Sequence, residues 1–546
     1  MPQKTKPTLK SKRSVPRGSV ARTRASRKSA DSGPQPSKGL FGYDESSSLL
    51  GGSKITKSVK YDGNGELAVL HIFGCGRSKT QAPMDASFVK SLPLEGWQKD
   101  WLGKRTDEVN VVQAKAGLVW ITRPKANSSS SGYGLMRDRV GSLWPQMRDM
   151  RGVKEIYIQF HRMSDDEILG ALVGLEIASY KFTSVVRFGH HRPSYSVSLV
   201  GVTDRQLHEA LAVGRSMNIA RHLVNLDAAT LNPKSYAEAM TRWFRGKRGV
   251  TVEVWDPDRL RRERMNLHLG VGQGAPFGSH MVHIRYRPAK SVPKPHLTGP
   301  LAIVGKGVTF DSGGLDIKPP SGMRLMKKDM GGSATVVGIA NYLTESQSEV
   351  PCDLYLALAE NSVDAHSFRP GDVIKSRNGL TIEIHNTDAE GRLILADVID
   401  VAQSKSEKPC AVIDFATLTG AMRVAVGTEI AGYFSTSAAL TKAVEASAIE
   451  SADPVWRLPL WDNYRSQLKS TFADMANASD SGFAGAITAA LFLERFIKPG
   501  MPWLHFDLYC WNDRAQGALV EVGGNGQGIQ MFRLLAKQLA SKSLKL

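Results

Sequence analysis

The sequence predicts an α/β protein: a small N-terminal α/β domain plus a larger C-terminal α/β domain with a mostly parallel, helix-flanked central sheet. Three observations carry this. Short buried-looking strands at 251–255, 301–304, 354–359, 411–415 and 503–507 alternate with helix-like stretches such as 332–343 and 393–403, the pattern of parallel strands covered on both faces. A shorter mixture of strands and helices fills 61–203. The length of 546 residues exceeds what one core of roughly 250–300 residues accommodates.

Taken in order, residues 1–55 are rich in Lys, Arg, Ser, Pro and Gly. They bury too little apolar surface to offset their ordering entropy, so a disordered basic tail is expected. The first thirty residues hold no acid, which suits a mitochondrial transit peptide. Pro2, Pro7 and Pro16 interrupt any amphipathic helix there, which suits a solvated tail on a cytoplasmic protein. Residues 56–203 form the N-terminal domain, with strands at 67–73, 117–122, 155–160 and 195–202, a loop at 128–134 and a helix at 166–180. That helix collects Ile168, Leu169, Leu172, Val173, Leu175 and Ile177 on one side. Residues 204–232 are a linker helix and connection, in which Leu207, Leu211, Val213, Ile219 and Leu223 recur near helical spacing. The second domain is 233–546, and no internal repeat of 20–50 residues is present.

Composition excludes several classes. Hydrophobic residues make up 42% and charged residues 23%, as in soluble globular chains. No apolar run approaches the ~20 residues a bilayer span needs, and no apolar core suggests a signal peptide. Cys75, Cys352, Cys410 and Cys510 are scattered without C-x-x-C spacing, which argues against a zinc ribbon or disulfide framework and for a reducing compartment. The net charge of +19 is unevenly spread: residues 1–40 hold eleven lysines and arginines against Asp31, a net +10. Such a tail could contact nucleic acid through phosphates, though it has no interleaved aromatics for base stacking.

The chemistry concentrates in two segments. In 304–314, VGKGVTFDSGG, a buried strand runs into a glycine-dense turn, read as one compact loop carrying Lys306 and Asp311. Lys318 follows, then MKKDMGG with Asp329 just before a helix. In 386–393, NTDAEGRL, Asp388 and Glu390 are two apart. On an extended backbone that spacing points both carboxylates the same way, and Arg392 near a helix start makes a pocket for a small anion. Taken singly, Asp329 reads as an N-cap, Lys306 and Lys318 as surface charges, and Asp388, Glu390 and Arg392 as a solvated ion-paired turn. His366 and His385 read as structural. Together, four carboxylates with two lysines in glycine-rich segments after buried strands suggest divalent cations. There is no H-E-x-x-H and no G-x-S-x-G, and 523–528, GGNGQG, resembles a phosphate loop only superficially.

NTDAEGRL is similar to the signature of the leucyl aminopeptidase (cytosol aminopeptidase) family of dinuclear metallo-exopeptidases. VGKGVTFDSGG, the IKP around Lys318, MKKDMGG and DFATLTGA resemble the same family in order and spacing, over roughly Asn218 to the C-terminus. The resemblance implies a C-terminal catalytic peptidase domain that releases neutral, leucine-like residues from peptide N-termini through a metal-activated water. It implies Lys306, Asp311, Asp329 and Glu390 around a tighter metal and Asp311, Asp388 and Glu390 around a more exchangeable one. Lys318 and Arg392 would be the catalytic pair, with a bicarbonate on Arg392 moving the proton. Met326, Asn386, Thr417, Leu418 and Gly420 match substrate-pocket positions. Two divalent ions per subunit, Zn or Mn first among those the ligands admit, and a homohexamer complete the expectation. The stretch Tyr509–Asn512 departs from the commonest family ending.

Overall fold

Two sheets organise the described residues, which in this computed structural model are 40–541 apart from 44, 46–47, 61–65, 76–83, 107, 115–116, 126–130, 149, 151, 183–194 and 290–296. Most of the basic tail, with the nucleic-acid expectation placed on it, and part of the 128–134 loop lie outside them.

The first sheet has six strands in the order Lys54–Thr56, Ser196–Val200, Glu155–His161, Leu67–Phe73, Gly117–Thr122, Val109–Ala114. Every neighbouring pair is parallel except the last. The helix Asp165–Ser179 starts on a capping box between Ser164 and Glu167 and buries its apolar positions from Ile168 to Ala178.

The chain already packs from Leu40 onward. Leu40, Tyr43 and Leu50 are buried, and the Tyr43 ring lies 5.5 Å from that of His222 and 6.1 Å from that of Trp243. The N–H of Leu50 donates to the Glu176 carboxylate at 3.2 Å. A tail reaching to 55 is therefore corrected over its last stretch. Its few apolar residues are large and pack against the helices that carry Glu176 and His222.

The helix Asp204–Asn225 begins on a Thr203–Gln206 capping box and touches both halves. Asn218 donates to the carbonyl of Glu176 at 3.0 Å and Arg221 to that of Ile177 at 2.7 Å. On its other side Ser216 accepts from Asn341 at 3.1 Å.

The second sheet has eight strands in the order Val455–Arg457, Ala431–Ser435, Trp503–Asp507, Ala411–Ala416, Leu301–Asp311, Cys352–Asn361, His280–Tyr286, Val250–Trp255. The four central strands run parallel. They are flanked by antiparallel neighbours, with His280–Tyr286 on one side and Ala431–Ser435 on the other. The helices Gly331–Glu345 and Glu390–Gln403 are buried almost throughout. Close packing explains the glycines: a Cβ on Gly332 would sit 2.0 Å from the Phe415 carbonyl oxygen. The GGNGQG run leads into the helix Ile529–Ala540, whose first N–H groups are met by the chain's own Asp453, at 2.9 Å from Gly528 N and 3.2 Å from Met531 N. Among the described residues no helix is long and apolar enough to cross a membrane.

Candidate metal centre

The site lies where the parallel strands end. Asp311, Asn361 and Asp507 close three of the central strands, and Thr417 follows the fourth. That end of an open α/β sheet is where ligands bind. Lys306 and Asp311 are not on a loop as expected. Both lie within the strand Leu301–Asp311, because this strand continues through the glycines as a fully paired central element. Between Val308 and Asp311 its register with Cys352–Asn361 shifts by one residue. This bulge changes the alternation of side chains, so that Lys306 and Asp311, five apart, serve the same cluster.

Asp388 and Glu390 are not on an extended backbone either. The Asn386 side chain accepts the N–H of Asp388 at 2.7 Å and Ala389 N–H donates to the Asn386 carbonyl at 3.3 Å. This Asx turn delivers Glu390 as the first residue of the helix Glu390–Gln403. Gly391 then leaves room for lysine: a Cβ there would lie 2.6–2.7 Å from Cδ, Cε and Nζ of Lys306.

The charged groups interlock. Lys306 Nζ lies 2.8 Å from Asp329 Oδ2 and 2.9 Å from Glu390 Oε1, and donates to the Thr417 carbonyl at 2.9 Å. Lys318 Nζ lies 2.8 Å from Asp311 Oδ2 and also pairs with Asp388. Asp311 accepts from Gly313 N and Asn361 Nδ2, each at 2.9 Å. Asp329 is not the N-cap of the helix Gly331–Glu345: Met330 occupies that position, and the Asp329 carboxylate accepts from Thr417 Oγ1 at 2.8 Å. Asp311, Asp329 and Glu390 each offer an oxygen within 4.8 Å of the others. Glu390 Oε2 is buried without a hydrogen-bond partner.

Four carboxylates against two ammonium groups leave the cluster short of positive charge. Burial, then the neighbouring Asp311, pushes Glu390 up to about 8 and Asp388 up to about 6. Burial also raises Asp329. For Lys306 burial works downward, but Asp329, Glu390 and Asp311 outweigh it and hold the group above the ordinary lysine range. Lys318 is raised in the same way, against its burial, chiefly by Asp311. A site that stores protons for want of cations has the donor chemistry of a hard or borderline divalent metal.

Arg392 sits in the first turn of its helix, donates to the Asn477 carbonyl at 2.8 Å and leaves Nε without a partner. Burial lowers it to about 10. Of the expected pocket residues, Thr417 touches the cluster directly and Asn386 braces Asp388. Leu418 N–H is held by Asp507 at 2.9 Å. Met326 opens the short turn that ends beside Asp329, and exposed Gly420 begins the helix Gly420–Val426. His366 pairs with exposed Asp364, and His385 with Glu383 and Asp480, apart from the cluster.

Sequence reasoning missed Asn361, Asn477 and Asp507, which orient the site residues. Nothing local marks an Asn or Asp at a strand end as a brace. Lys328, buried next to Asp329, was also missed because a lysine pair reads as surface charge.

Comparison with known proteins points one way. The model of the cytosol aminopeptidase family, catalytic domain, matches residues 218–533. The chain is 39% identical over 337 residues to a cytosol aminopeptidase of Encephalitozoon cuniculi and 42% identical over 315 residues to a probable cytosol aminopeptidase of Rhodopirellula baltica. These stretches cover 61% and 57% of this chain and span 67% and 60% of those relatives' own lengths. Among solved structures, the bottromycin maturation enzyme BotP in complex with Mn superposes with a TM-score of 0.75 at 26% identity, covering 87% of this chain and 100% of that one. The cytosol aminopeptidase from Coxiella burnetii gives 0.72 at 26%, covering 89% and 99%.

Proposed function

The chain belongs to the cytosol aminopeptidase family, and on that premise we propose that it is a metal-dependent aminopeptidase hydrolysing the first peptide bond of peptides with a free N-terminus. The observation that carries the reading is the buried convergence of Asp311, Asp329 and Glu390, with Glu390 Oε2 unpartnered. Lys306, Asp311, Asp329 and Glu390 would hold one divalent ion and Asp311, Asp388 and Glu390 a second, with Zn or Mn suited to the donors. When bound, such ions polarise a carbonyl and make water nucleophilic near neutral pH.

The chain's own groups do the rest. Lys306 must give up its proton to act as a ligand. The carboxylates that now raise it would favour the ammonium less once dications neutralise them. The same neutralisation loosens Lys318 from Asp311 and Asp388, leaving its ammonium to stabilise negative charge developing on the scissile carbonyl oxygen. Arg392, at a helix N-terminus with a free Nε, would hold bicarbonate as the proton carrier. Asn386, Thr417 and Gly420 would shape the substrate pocket, and Met326 and Leu418 give it an apolar wall suited to a leucine-like side chain.

The proposal includes a homohexamer, checked by mass in solution. The +10 carried by residues 1–40 supports a separable, salt-dependent affinity for nucleic acid, which removing residues 1–37 would abolish.

Chelation followed by return of Zn, Mn, Co or Mg tests the main reading on aminoacyl fluorophores. Activity on leucyl substrate should vanish and return with at least one metal, and N-acetyl-leucyl substrate should remain uncleaved. Full activity in chelator, or none with any metal, overturns it.

A further inference from the structure

Beside the carboxylate cluster lies a buried lysine that no anion of the described residues meets in a hydrogen bond or ion pair. Lys328 is only 5% exposed, yet its ammonium makes no hydrogen bond and no ion pair with any described residue. The ring of Tyr509 stands 4.4 Å from Nζ, and Asp329 and Asp507 act on the ammonium only through longer-range attraction. The neighbouring carboxylates are committed elsewhere. Asp329 is taken by Lys306 and Thr417, and Asp507 accepts from Leu418 N at 2.9 Å, Thr419 N at 3.1 Å and Thr419 Oγ1 at 2.6 Å. The guanidinium of Arg423 stands 5.3 Å from the same Tyr509 ring and is likewise unpaired among the described residues, as is the Tyr509 hydroxyl. A ring face attracts the ammonium but offers it no oxygen acceptor, and a buried charge without a paired anion is unfavourable.

The position is adjacent to the substrate wall. Tyr509 and Cys510 follow Asp507, the residue that holds Leu418. A Cβ on Gly331 would meet Cys510 Cβ at 2.5 Å and Thr417 Cγ2 at 3.1 Å, so this segment is pressed against the Thr417 side of the cluster. Met326 lies two residues before Lys328, and its carbonyl accepts the N–H of Asp329 at 3.2 Å. A side chain with an apolar stem and an anionic tip matches this sequence of surfaces: Met326 and Leu418 for the stem, then Lys328, Tyr509 and Arg423 for the tip.

We propose that Lys328, supported by Tyr509 and Arg423, is a specificity-determining residue that admits peptides whose N-terminal side chain carries a carboxylate, glutamate above all, alongside leucine-like residues. The inference rests on the aminopeptidase reading and extends it to a charged substrate class.

The isosteric pair of N-terminal Glu and Gln isolates the charge. The metal-loaded full chain is assayed for kcat/KM on glutamyl, glutaminyl and leucyl fluorophores. Wild type should favour Glu over Gln by about tenfold or more, as a charge-assisted hydrogen bond implies. Lys328→Met should bring the ratio to about one or below, and Lys328→Arg should retain it. Each ratio is taken within one preparation, so partial loss of fold or metal cancels, and Lys328→Gln replaces a Met variant that does not fold. A wild-type preference for Gln, or a ratio unmoved by Lys328→Met, overturns the assignment while leucyl hydrolysis continues. Loss of all three activities with every metal instead overturns the aminopeptidase reading.

Discussion

At the ends of the strands Leu67–Phe73 and Glu155–His161, in the first sheet, His71 and His161 face each other with ring nitrogens 3.0 Å apart, packed against Phe73 and Phe88. Burial, then His161, pulls His71 down to about 3, and burial pulls His161 down to about 4, so both are held neutral near pH 7. At the matching end of the second sheet four carboxyl groups and two lysines crowd together, and the excess of acids raises Glu390 to about 8. The first region has removed its charge and leaves only the neutral His71 Nε2 without a partner. The second keeps an excess of acidic groups that protonation relieves in part and bound cations would relieve further, and pKa values displaced in this way mark a candidate functional site.

The largest effects should come from dismantling the second region. Asp329→Ala removes one of the converging carboxylates and leaves Lys306 buried with one partner fewer. Metal content by elemental analysis should fall below one ion per subunit and activity to background. Lys318→Ala keeps the three converging carboxylates. Metal content should stay near wild type while kcat drops by about two orders of magnitude, the scale of a lost oxyanion donor. If both variants lost metal alike, the separation of binding from catalytic groups would break down.

Gly391→Ala is a smaller and purely steric intervention. The new methyl would overlap the end of the Lys306 side chain, and Lys306, tied to Asp329, Glu390 and Thr417, cannot withdraw freely. Overpacking of this kind costs about 1–3 kcal/mol, read as a lower urea midpoint, with weaker metal retention. An alanine variant as stable and active as wild type would show that the lysine slot is loose.

These predictions also show which parts of the molecule its sequence reveals. The central strands and the buried helices were legible because continuous apolar runs bounded by glycine have few other uses. The antiparallel strands His280–Tyr286 and Ala431–Ser435, which flank the parallel four, were not, since they contain polar residues or lie inside a longer apolar stretch. The residues of the carboxylate cluster were legible as a set through the spacing of NTDAEGRL and its companions. Their backbone was misread: a compact loop proved to be strand, and an extended pair proved to be an Asx turn opening a helix. Register shifts and side-chain turns depend on partners far away in the chain. For the same reason Asn361, which holds Asp311, and Asp507, which holds the turn at Leu418 and Thr419, left no local trace.

The two regions should respond to pH with opposite signs. Glu390 in the folded, metal-free protein holds its proton up to about 8, against an ordinary 4.5. Between those values the folded state binds more protons than the unfolded one, so this group makes the metal-free protein less stable as pH rises. Metal displaces that proton, so apparent affinity should rise with pH between about 6 and 8, by up to about tenfold per unit for each proton released. Calorimetric titration in buffers of different ionisation enthalpy reads the proton count directly. No proton release would mean that the cluster is already fully ionised without metal.

The smallest effect on activity belongs to the histidine pair. His71 in the folded state titrates near 3 rather than its ordinary 6.5. As pH falls through that window the unfolded chain takes up a proton that the folded one refuses, and stability declines on acidification. His71→Phe removes the titration and places another ring among Phe73, Phe88 and His161. Peptidase activity at neutral pH should stay within about twofold, because a substitution far from the chemistry leaves transition-state contacts intact. The fall in Tm between pH 7 and 5 should become shallower, leaving His161 to supply the remainder. A large loss of activity in this variant would contradict the claim that the first region has removed its charge, since a neutral, packed imidazole pair has no charge with which to act on the metal centre.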